Sequence, residues 1–378
     1  MNDKAELGPT KIYGICAHDV KGGSTIIFND VLSSVGINKR FVNEKLKDSE
    51  NDKTETDYIS FQSLSKSPST WFKFLRKFLK TSYTIFTNTR GYSVALANEL
   101  ISILYIFPHK AFKRLDIIYY CHSAFRITVF NKLFLSRFIN YYSDVIVVPS
   151  FYLKDELIKI GISSSKIQVI YNGTHEISLP KKSQNNNLDK KLNVCIVGVI
   201  QYQKGQDVFI EAIKNLNRDG YYVTGNIVGP IRENVYYEDL KNKLVIEESL
   251  QNIYFLGSLD HQTAIKFMNA QDVIICLSRY RETLPTVLLE AMSLGKAIIG
   301  TNIGGIPEII TDGENGYLID PDNVNQLQDA ILKLMDQEHR LQLGESGYKL
   351  FLNKFNRETF LSQHKLLIQK CFQKQIEN

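Results

Sequence analysis

The stretch from Ser278 to Glu308, SRYRETLPTVLLEAMSLGKAIIGTNIGGIPE, constrains the fold of this chain more than any other part of it. It follows an apolar run, QDVIICLS, of the kind that forms a buried parallel strand. A helix is predicted next, with Pro285 as its first residue, where a missing N–H costs nothing, and Gly295 at its C-cap. KAIIGT predicts a second strand, and GGIPE a further helix with Pro307 near its start. Two successive strand–loop–helix turns predict an open parallel sheet that binds ligands at the carboxyl ends of its strands.

Two of the three glutamates in this stretch have the spacing Glu282-x7-Glu290. Carboxylates placed in a strand-end loop and one turn into the next helix can accept hydrogen bonds from two hydroxyl-bearing parts of one ligand. The backbone N–H groups of Thr283, Leu284 and Thr286 would face an anionic part of that ligand at the helix N-terminus. Each glutamate taken alone could equally be an ordinary surface side chain. The arrangement of the whole stretch favours the binding site.

These motifs, together with EAMxxGK, GGIPEII and DGENGYL, resemble the C-terminal signature of the retaining family 4 glycosyltransferases, which have the GT-B fold. The resemblance implies that Glu282 binds hydroxyls of the donor sugar and that Glu290 binds the ribose of the nucleotide. Many members carry Gly-Phe-Gly after the first glutamate, whereas this chain has Thr283-Leu284-Pro285. Because Pro285 has no N–H, the donor sugar would meet one backbone donor fewer.

A second motif resembles the Gly-Arg-x5-Lys-Gly sequence with which the family grips the diphosphate. Gly198 and Lys204-Gly205 are in register, but Val199 or Ile200 occupies the arginine position. The resemblance therefore implies that stabilisation of the leaving diphosphate rests heavily on Lys204 and on helix N-termini. Family members usually need no metal, so we expect neither a metal nor a cofactor, only the nucleoside diphosphate sugar as co-substrate.

The first half of the chain offers further candidate site residues. The strand-like run KIYGICAH leads to the turn residues Gly22 and Gly23, which in the family lie near the donor diphosphate or the acceptor. The run LDIIYYCH ends at His122, where the resemblance implies contact with the donor sugar; a histidine in an ordinary turn is the alternative. Arg126, one turn later, could neutralise a phosphate or be solvated. No GxGxxG follows any strand, which counts against a dinucleotide-binding oxidoreductase.

The basic residues are concentrated between Lys66 and Arg137, a segment that contains 12 lysines and arginines but only two acidic residues. Within this segment, WFKFLRKFLK at 71–80 predicts an amphipathic helix lying in an anionic membrane surface. Its proposed membrane contacts are Trp71, Lys73, Arg76, Lys77 and Lys80. A core helix with solvated lysines is the alternative. A nucleic-acid-binding role would need exposed stacking aromatics, and the aromatic residues here fall in core-like patterns, so no nucleic acid is expected.

Length and composition suit two globular domains, since the chain has 378 residues and is 44% hydrophobic. We predict an acceptor-binding domain at 1–177, a linker at 178–191, a nucleotide-sugar-binding domain at 192–355 and a C-terminal helix at 356–378 that packs on the first domain. The five cysteines are scattered, the N-terminus is polar, and no apolar run approaches the length of a membrane span. These features predict a cytoplasmic protein, peripheral to the inner face of the cell membrane.

The sequence thus predicts two Rossmann-like α/β domains that face each other across a cleft, the GT-B fold. The implied reaction is retaining transfer of a sugar from a UDP- or GDP-sugar to a hydroxyl of a glycan or lipid-linked acceptor, in the synthesis of bacterial surface polysaccharide. We nominate no nucleophile, because in retaining members the leaving phosphate is thought to help deprotonate the acceptor. A nucleotide-sugar 2-epimerase of the same fold is the alternative, and it would convert donor sugars without any acceptor.

Overall fold

A computed structural model describes residues 11–16, 23–34, 39–42, 56–58, 79, 83, 93–98, 102–103, 106, 115–122, 129–177, 191–245 and 252–377. The chain divides into two compact units. The first unit contains Met1–Ile170 together with Leu361–Asn378, and the second contains Tyr171–Phe360. Each unit is built on its own parallel sheet.

The sheet of the first unit has the strand order β3-β2-β1-β4-β5-β6-β7, and every neighbouring pair is parallel. Its strands are β1 (Lys11–Cys16), β2 (Lys39–Val42), β3 (Thr56–Tyr58), β4 (Ser93–Asn98), β5 (Leu115–Tyr120), β6 (Val145–Val148) and β7 (Ile167–Val169). Its helices are α1 (Gly23–Ser34), α2 (Val129–Tyr142) and α3 (Phe151–Lys159). Helix α3 begins where the side chain of Ser150 accepts a hydrogen bond from the backbone N–H of Leu153.

Most strands predicted in the first unit are confirmed, namely those at KIYGICAH, LDIIYYCH, SDVIVVPS and KIQVIYNGT. The strand predicted at SYTIFTNT lies mostly outside the described residues, and the prediction is wrong at Tyr83, which is helical. The sheet instead takes β4, whose six residues are all buried.

The sheet of the second unit has the order β10-β9-β8-β11-β12-β13 and is also parallel throughout. Its strands are β8 (Lys191–Val197), β9 (Tyr222–Val228), β10 (Ile253–Gly257), β11 (Val273–Cys276), β12 (Ala297–Thr301) and β13 (Tyr317–Ile319). Its helices are α4 (Gln206–Arg218), α5 (Asn234–Val245), α6 (His261–Ala270), α7 (Thr286–Ser293), α8 (Val324–Lys333) and α9 (Gln337–Leu350). A π-helical turn at Phe351–Phe355 precedes α10 (Arg357–Glu377), which belongs to the first unit from Leu361 onward.

Both faces of the second sheet are covered at β11, which explains the continuous apolar sequence of that strand. In β11, Val273 and Ile275 pack into one hydrophobic cluster with residues of α4 and α8. The alternate residues Ile274 and Cys276 pack into a second cluster with residues of α7. Because successive side chains point to opposite faces, a strand buried on both sides must be apolar at every position. The predicted parallel α/β architecture is confirmed for both units.

Two helix boundaries near the predicted site need correction. Pro285 is the N-cap of α7, not its first helical residue, because its ψ of 114° is extended. Helix α7 ends at Ser293 and its C-cap is Leu294, so Gly295, which was predicted as the cap, lies one residue beyond it with a φ of +65°. Pro307 lies in a single 3₁₀ turn, not in a full helix.

Candidate functional site

The second sheet reverses its strand order at β8, which lies between β9 and β11. In doubly wound sheets, ligands bind outside the carboxyl ends of the strands at such a reversal. The loops after β8 and β11 lie at this reversal, and the loop after β12 lies beside them. They carry Lys204, Glu282 and the glycine pair Gly304-Gly305, respectively.

The loop after β8 brings Lys204 onto the end of β11. Tyr202–Lys204 form one 3₁₀ turn, and Gly205 links it to α4 with a φ of +68°. A Cβ atom at Gly205 would lie 2.5 Å from the carbonyl oxygen of Leu277. Glycine is therefore needed here both for the left-handed backbone and for the close approach of the loop to β11.

Lys204, Ser278 and Glu282 form a compact polar cluster at this edge. The Nζ atom of Lys204 lies 2.5 Å from Oε2 of Glu282 and 3.4 Å from Oγ of Ser278. The hydroxyl of Ser278 donates to the same Oε2 over 2.6 Å. Ser278 is fully buried, and its carbonyl oxygen accepts a hydrogen bond from the hydroxyl of Thr301 on β12. Glu282 is thus held through one carboxylate oxygen, and Oε1 has no hydrogen-bond partner among the residues that the structure describes.

The lysine of this cluster is a stable cation. Burial by itself would lower the pKa of Lys204. The charge of Glu282, the thiol of Cys276 and the hydrogen bond to Glu282 act in the opposite direction and prevail, so that the pKa of Lys204 is raised above its ordinary value. At neutral pH the ammonium group therefore carries its full positive charge.

The glycine pair after β12 fixes the backbone of Glu282. Gly304 has a φ of +58°, and a Cβ atom there would lie 2.0 Å from the carbonyl oxygen of Glu282. That same oxygen accepts a hydrogen bond of 2.9 Å from the N–H of Gly305. No side chain fits between the two loops at position 304, and this explains the first glycine of the pair.

Arg279 fixes the loop that carries Lys204. Its guanidinium pairs with Asp207 at 2.8 Å and Asp322 at 2.6 Å, and donates to the carbonyl oxygen of Tyr202 over 2.5 Å. It also lies 4.0 Å from the centre of the Tyr202 ring, a cation–π arrangement. All three guanidinium nitrogens are thus hydrogen-bonded to the protein, so this arginine does not take the place of the missing arginine at Val199 or Ile200.

Glu290 lies on α7 and is mostly buried, with 16% of its side chain exposed. Its Oε1 atom lies 2.9 Å from Nε2 of His261, the first residue of α6. The three residues whose N–H groups are predicted to face the ligand lie between the two glutamates. Leu284 packs its side chain into the core, so any contact it makes with a ligand is through its backbone. Thr286 opens α7, and Thr283 precedes it in the loop.

His122 of the first unit lies two residues after the last residue of β5. Burial, with a smaller contribution from His364, lowers the pKa of His122 to about 4, so the imidazole is neutral at physiological pH. His364, on α10, is buried and stacks on Tyr120 with the ring centres 5.6 Å apart. Gly23 is the first residue of α1 and not a loop residue as predicted. Gly22, Arg126, Trp71, Lys73, Arg76, Lys77 and Lys80 lie outside the described residues.

Three contacts of this site were not foreseen from sequence: Ser278 with Glu282, Arg279 with the Lys204 loop, and His261 with Glu290. Their partners are far apart along the chain, so no local pattern signals them. Within the ranges that the structure describes, no three histidine, cysteine or acidic side chains form a metal-binding group. None of the described helices is both long and apolar enough to cross a membrane.

Two family models match the chain. The model "Glycosyl transferases group 1" matches residues 179–350, and "Glycosyltransferase Family 4" matches residues 47–176. An uncharacterised glycosyltransferase of Methanocaldococcus jannaschii is 32% identical over 57% of this chain and 56% of its own length.

Two solved structures share the fold over almost the whole chain. The Anabaena protein HepE, in complex with UDP and glucose, has a TM-score of 0.78 and 19% identity, covering 95% of this chain and 99% of its own. The lipopolysaccharide outer core galactosyltransferase WaaB has a TM-score of 0.73 and 17% identity, covering 96% of this chain and 100% of its own. At these identities the likeness establishes the fold.

Proposed function

Since the chain belongs to the family 4 glycosyltransferases with the GT-B fold, we propose that it transfers a sugar, with retention, from a nucleoside diphosphate sugar to a hydroxyl group. The observation that supports this most is the cluster of Lys204, Ser278 and Glu282 at the carboxyl edge of the second sheet. It combines a stable cation with a partly engaged carboxylate, which are the groups that a diphosphate and a sugar hydroxyl require.

The ammonium group of Lys204 is proposed to stabilise the leaving diphosphate. An ammonium has three N–H donors, and two of them are directed to Glu282 and Ser278. The third donor can bind an oxygen of the diphosphate, where negative charge grows as the bond to the sugar breaks. The N-terminus of α7 would add a favourable dipole.

Glu282 is proposed to orient the donor sugar through Oε1, the oxygen that the Lys204 cluster leaves available. In the reaction, the bond between the anomeric carbon and the phosphate oxygen breaks, and the electron pair stays on the phosphate. The acceptor oxygen forms its bond to the same face of that carbon, and its proton passes to the leaving phosphate. Glu290 is proposed to bind the ribose. His122 is proposed to contact the donor sugar as a neutral hydrogen-bonding group.

A uridine nucleotide is the proposed donor, because the structural relative from Anabaena binds UDP and glucose. The proposed acceptor is a glycan or lipid-linked glycan of the bacterial surface, in keeping with the relative that acts on lipopolysaccharide. The basic segment around 71–80 supports action at the cytoplasmic face of a membrane. No metal is required in this scheme, since Lys204 and helix N-termini neutralise the diphosphate.

The experiment is to incubate the protein with a panel of UDP- and GDP-sugars, with and without lipid-linked acceptors, and to analyse the products by mass spectrometry. We expect an acceptor that gains one sugar, and Glu282→Gln should lower its rate of formation strongly. Glu290→Ala should raise the Kd of the donor about ten- to a hundredfold, the range for a lost hydrogen bond to a charged group. A donor sugar that changes configuration in the absence of acceptor would instead identify an epimerase.

A further inference from the structure

The contact between Glu290 and His261 joins two helices that follow different strands of the second sheet. His261 begins α6, which follows β10, and Glu290 lies inside α7, which follows β11. Their side chains meet at 2.9 Å between Nε2 and Oε1. Glu290 is mostly buried, whereas 69% of the His261 side chain is exposed. The imidazole therefore covers one oxygen of the carboxylate from the solvent side.

The charges around the imidazole favour its protonated form. The hydrogen bond with Glu290 is the largest cause that raises the pKa of His261, while partial burial works against it. The charges of Glu290 on α7 and of Asp260 on its own element add to the increase. Asp260 caps α6 by accepting hydrogen bonds from the N–H and hydroxyl of Thr263, so its carboxylate stays in place.

We propose that His261 is a positioning residue for the ribose of the donor: it holds Oε1 of Glu290 so that Oε2 is presented to the ribose hydroxyls. This inference rests on the proposed function, since it assumes that Glu290 binds ribose. Among the described residues, Oε2 of Glu290 has no hydrogen-bond partner, and His261 is the one side chain that holds this carboxylate. A protonated imidazole holds it more firmly than a neutral one, because the hydrogen bond is then charge-assisted.

The protonation state of His261 should consequently appear in the affinity for the donor. Protonated His261 predominates below its pKa, and the imidazole becomes neutral as the pH rises through that value. Donor affinity should therefore be highest at the acidic end of the neutral range and should fall toward pH 8.5. A residue that only supported the fold would not produce this dependence, and one this exposed adds little to stability.

The test measures the Kd of UDP-glucose by calorimetry between pH 6 and 8.5. A nucleotide sugar is used because both phosphates of its diphosphate are esterified and do not titrate in this range, unlike the terminal phosphate of UDP. For the wild type we expect a loss of affinity of about threefold across the range, the size appropriate to a partly exposed ion pair. His261→Gln, which keeps an N–H donor but cannot titrate, should bind with a Kd independent of pH.

His261→Ala should bind about threefold more weakly than the wild type at pH 6 and should also lack the pH dependence. The matched control is His175→Gln, which changes an exposed histidine of the same unit and should behave as the wild type does. Histidine NMR gives a measurement that needs no ligand: the resonance lost in His261→Gln should titrate at a lower pH in Glu290→Gln than in the wild type.

The outcomes separate the two proposals. One outcome is that Glu290→Gln loses donor binding while the donor affinity of the wild type does not change with pH and the His261 variants bind the donor equally well. In that case the assignment of Glu290 to the ribose stands and the positioning role of His261 is wrong. An His261 pKa that does not change in Glu290→Gln would refute the ion pair itself. If neither UDP-glucose nor any other UDP-, GDP- or ADP-sugar binds, the proposed function fails and this inference fails with it.

Discussion

His122, which lies just beyond β5, should make the stability of the first unit depend on pH. Burial, followed by the influence of His364, lowers the pKa of His122 from 6.5 to about 4. Between these two values the unfolded chain binds a proton that the folded chain does not. The contribution of neutral His122 to stability is therefore fully present above about pH 6.5 and is lost as the pH falls toward 4.

The size of the effect follows from the gap of about 2.5 between the two pKa values, which corresponds to about 3 kcal/mol at about 1.36 kcal/mol per pKa unit. At pH 5 most of the unfolded chains are protonated at this position, whereas most of the folded ones are not. The loss at that pH is about 2 kcal/mol. This is a large part of the roughly 5–15 kcal/mol that stabilises a typical domain.

Urea unfolding at pH 7.5, 6 and 5 measures this loss. Amide hydrogen exchange at β4 and β5, measured at each urea concentration, reports on the unfolding of the first unit, to which both strands belong. The comparison is with His122→Asn, which removes the titrating group. Between pH 7.5 and pH 5 we expect the wild type to lose about 2 kcal/mol more stability than this variant does. His175→Gln, an exposed histidine of the second unit, should follow the wild type.

Parallel curves of stability against pH for the wild type and His122→Asn would refute this reasoning. They would mean that His122 binds its proton equally well in the folded and unfolded chains, and so that its imidazole is not enclosed as described.

Four further predictions concern the site, the membrane and the metal. Lys204→Met should retain less than about a tenth of kcat, because no other cation of the cluster replaces it; a variant above that level shows that another group stabilises the diphosphate. Gly304→Ala should lower the thermal midpoint more than Gly313→Ala, because both strain a left-handed backbone but only the first places a Cβ atom 2.0 Å from the Glu282 carbonyl oxygen. Equal midpoints would contradict that contact. Replacement of four basic residues of the predicted helix at 71–80 by glutamine should release the protein from anionic liposomes in a sedimentation assay. These residues are Lys73, Arg76, Lys77 and Lys80. If the wild type itself does not sediment with these liposomes, the membrane proposal is wrong. Transferase activity should be unchanged by EDTA, and a loss restored by added Mg²⁺ or Mn²⁺ would show that the diphosphate needs a metal.

The fold was accessible from sequence wherever burial imposes a simple pattern. Strands β11 and β12 are buried at every position, so they appear as short runs made almost entirely of apolar residues. Helix α9 was not predicted, because Gly344 and Gly347 disfavour a helix by intrinsic propensity. The packing of the helix requires the first of these glycines, because a Cβ atom at Gly344 would lie 2.2 Å from the carbonyl oxygen of Gly295. Tertiary contact overrides local preference there, and a single sequence does not reveal it.

The candidate site was likewise predictable only where its residues stand in local motifs. Glu282 and Glu290 were recognisable because they stand in one local motif, and Lys204 because it stands in another. The hydrogen bond between Lys204 and Glu282 spans 78 positions and arises only because β8 and β11 are neighbours in the sheet. His261 carries no motif of its own, and its role depends on the spatial order of α6 and α7. Pro285 was placed one position too far into its helix, because proline has a φ suited to the first helical residue whether or not its ψ is helical.

The return of α10 to the first unit has a consequence for how this protein is made. Tyr120 leaves the ribosome early, but its stacking partner His364 lies close to the other end of the chain. At roughly 5–20 residues per second, synthesis of the intervening chain takes on the order of ten to fifty seconds. During that interval the nascent first unit lacks the helix that covers Tyr120 and exposes an apolar surface to the cell. The second unit, which is continuous in sequence, can complete its core before the first, so the order of folding would run against the order of synthesis.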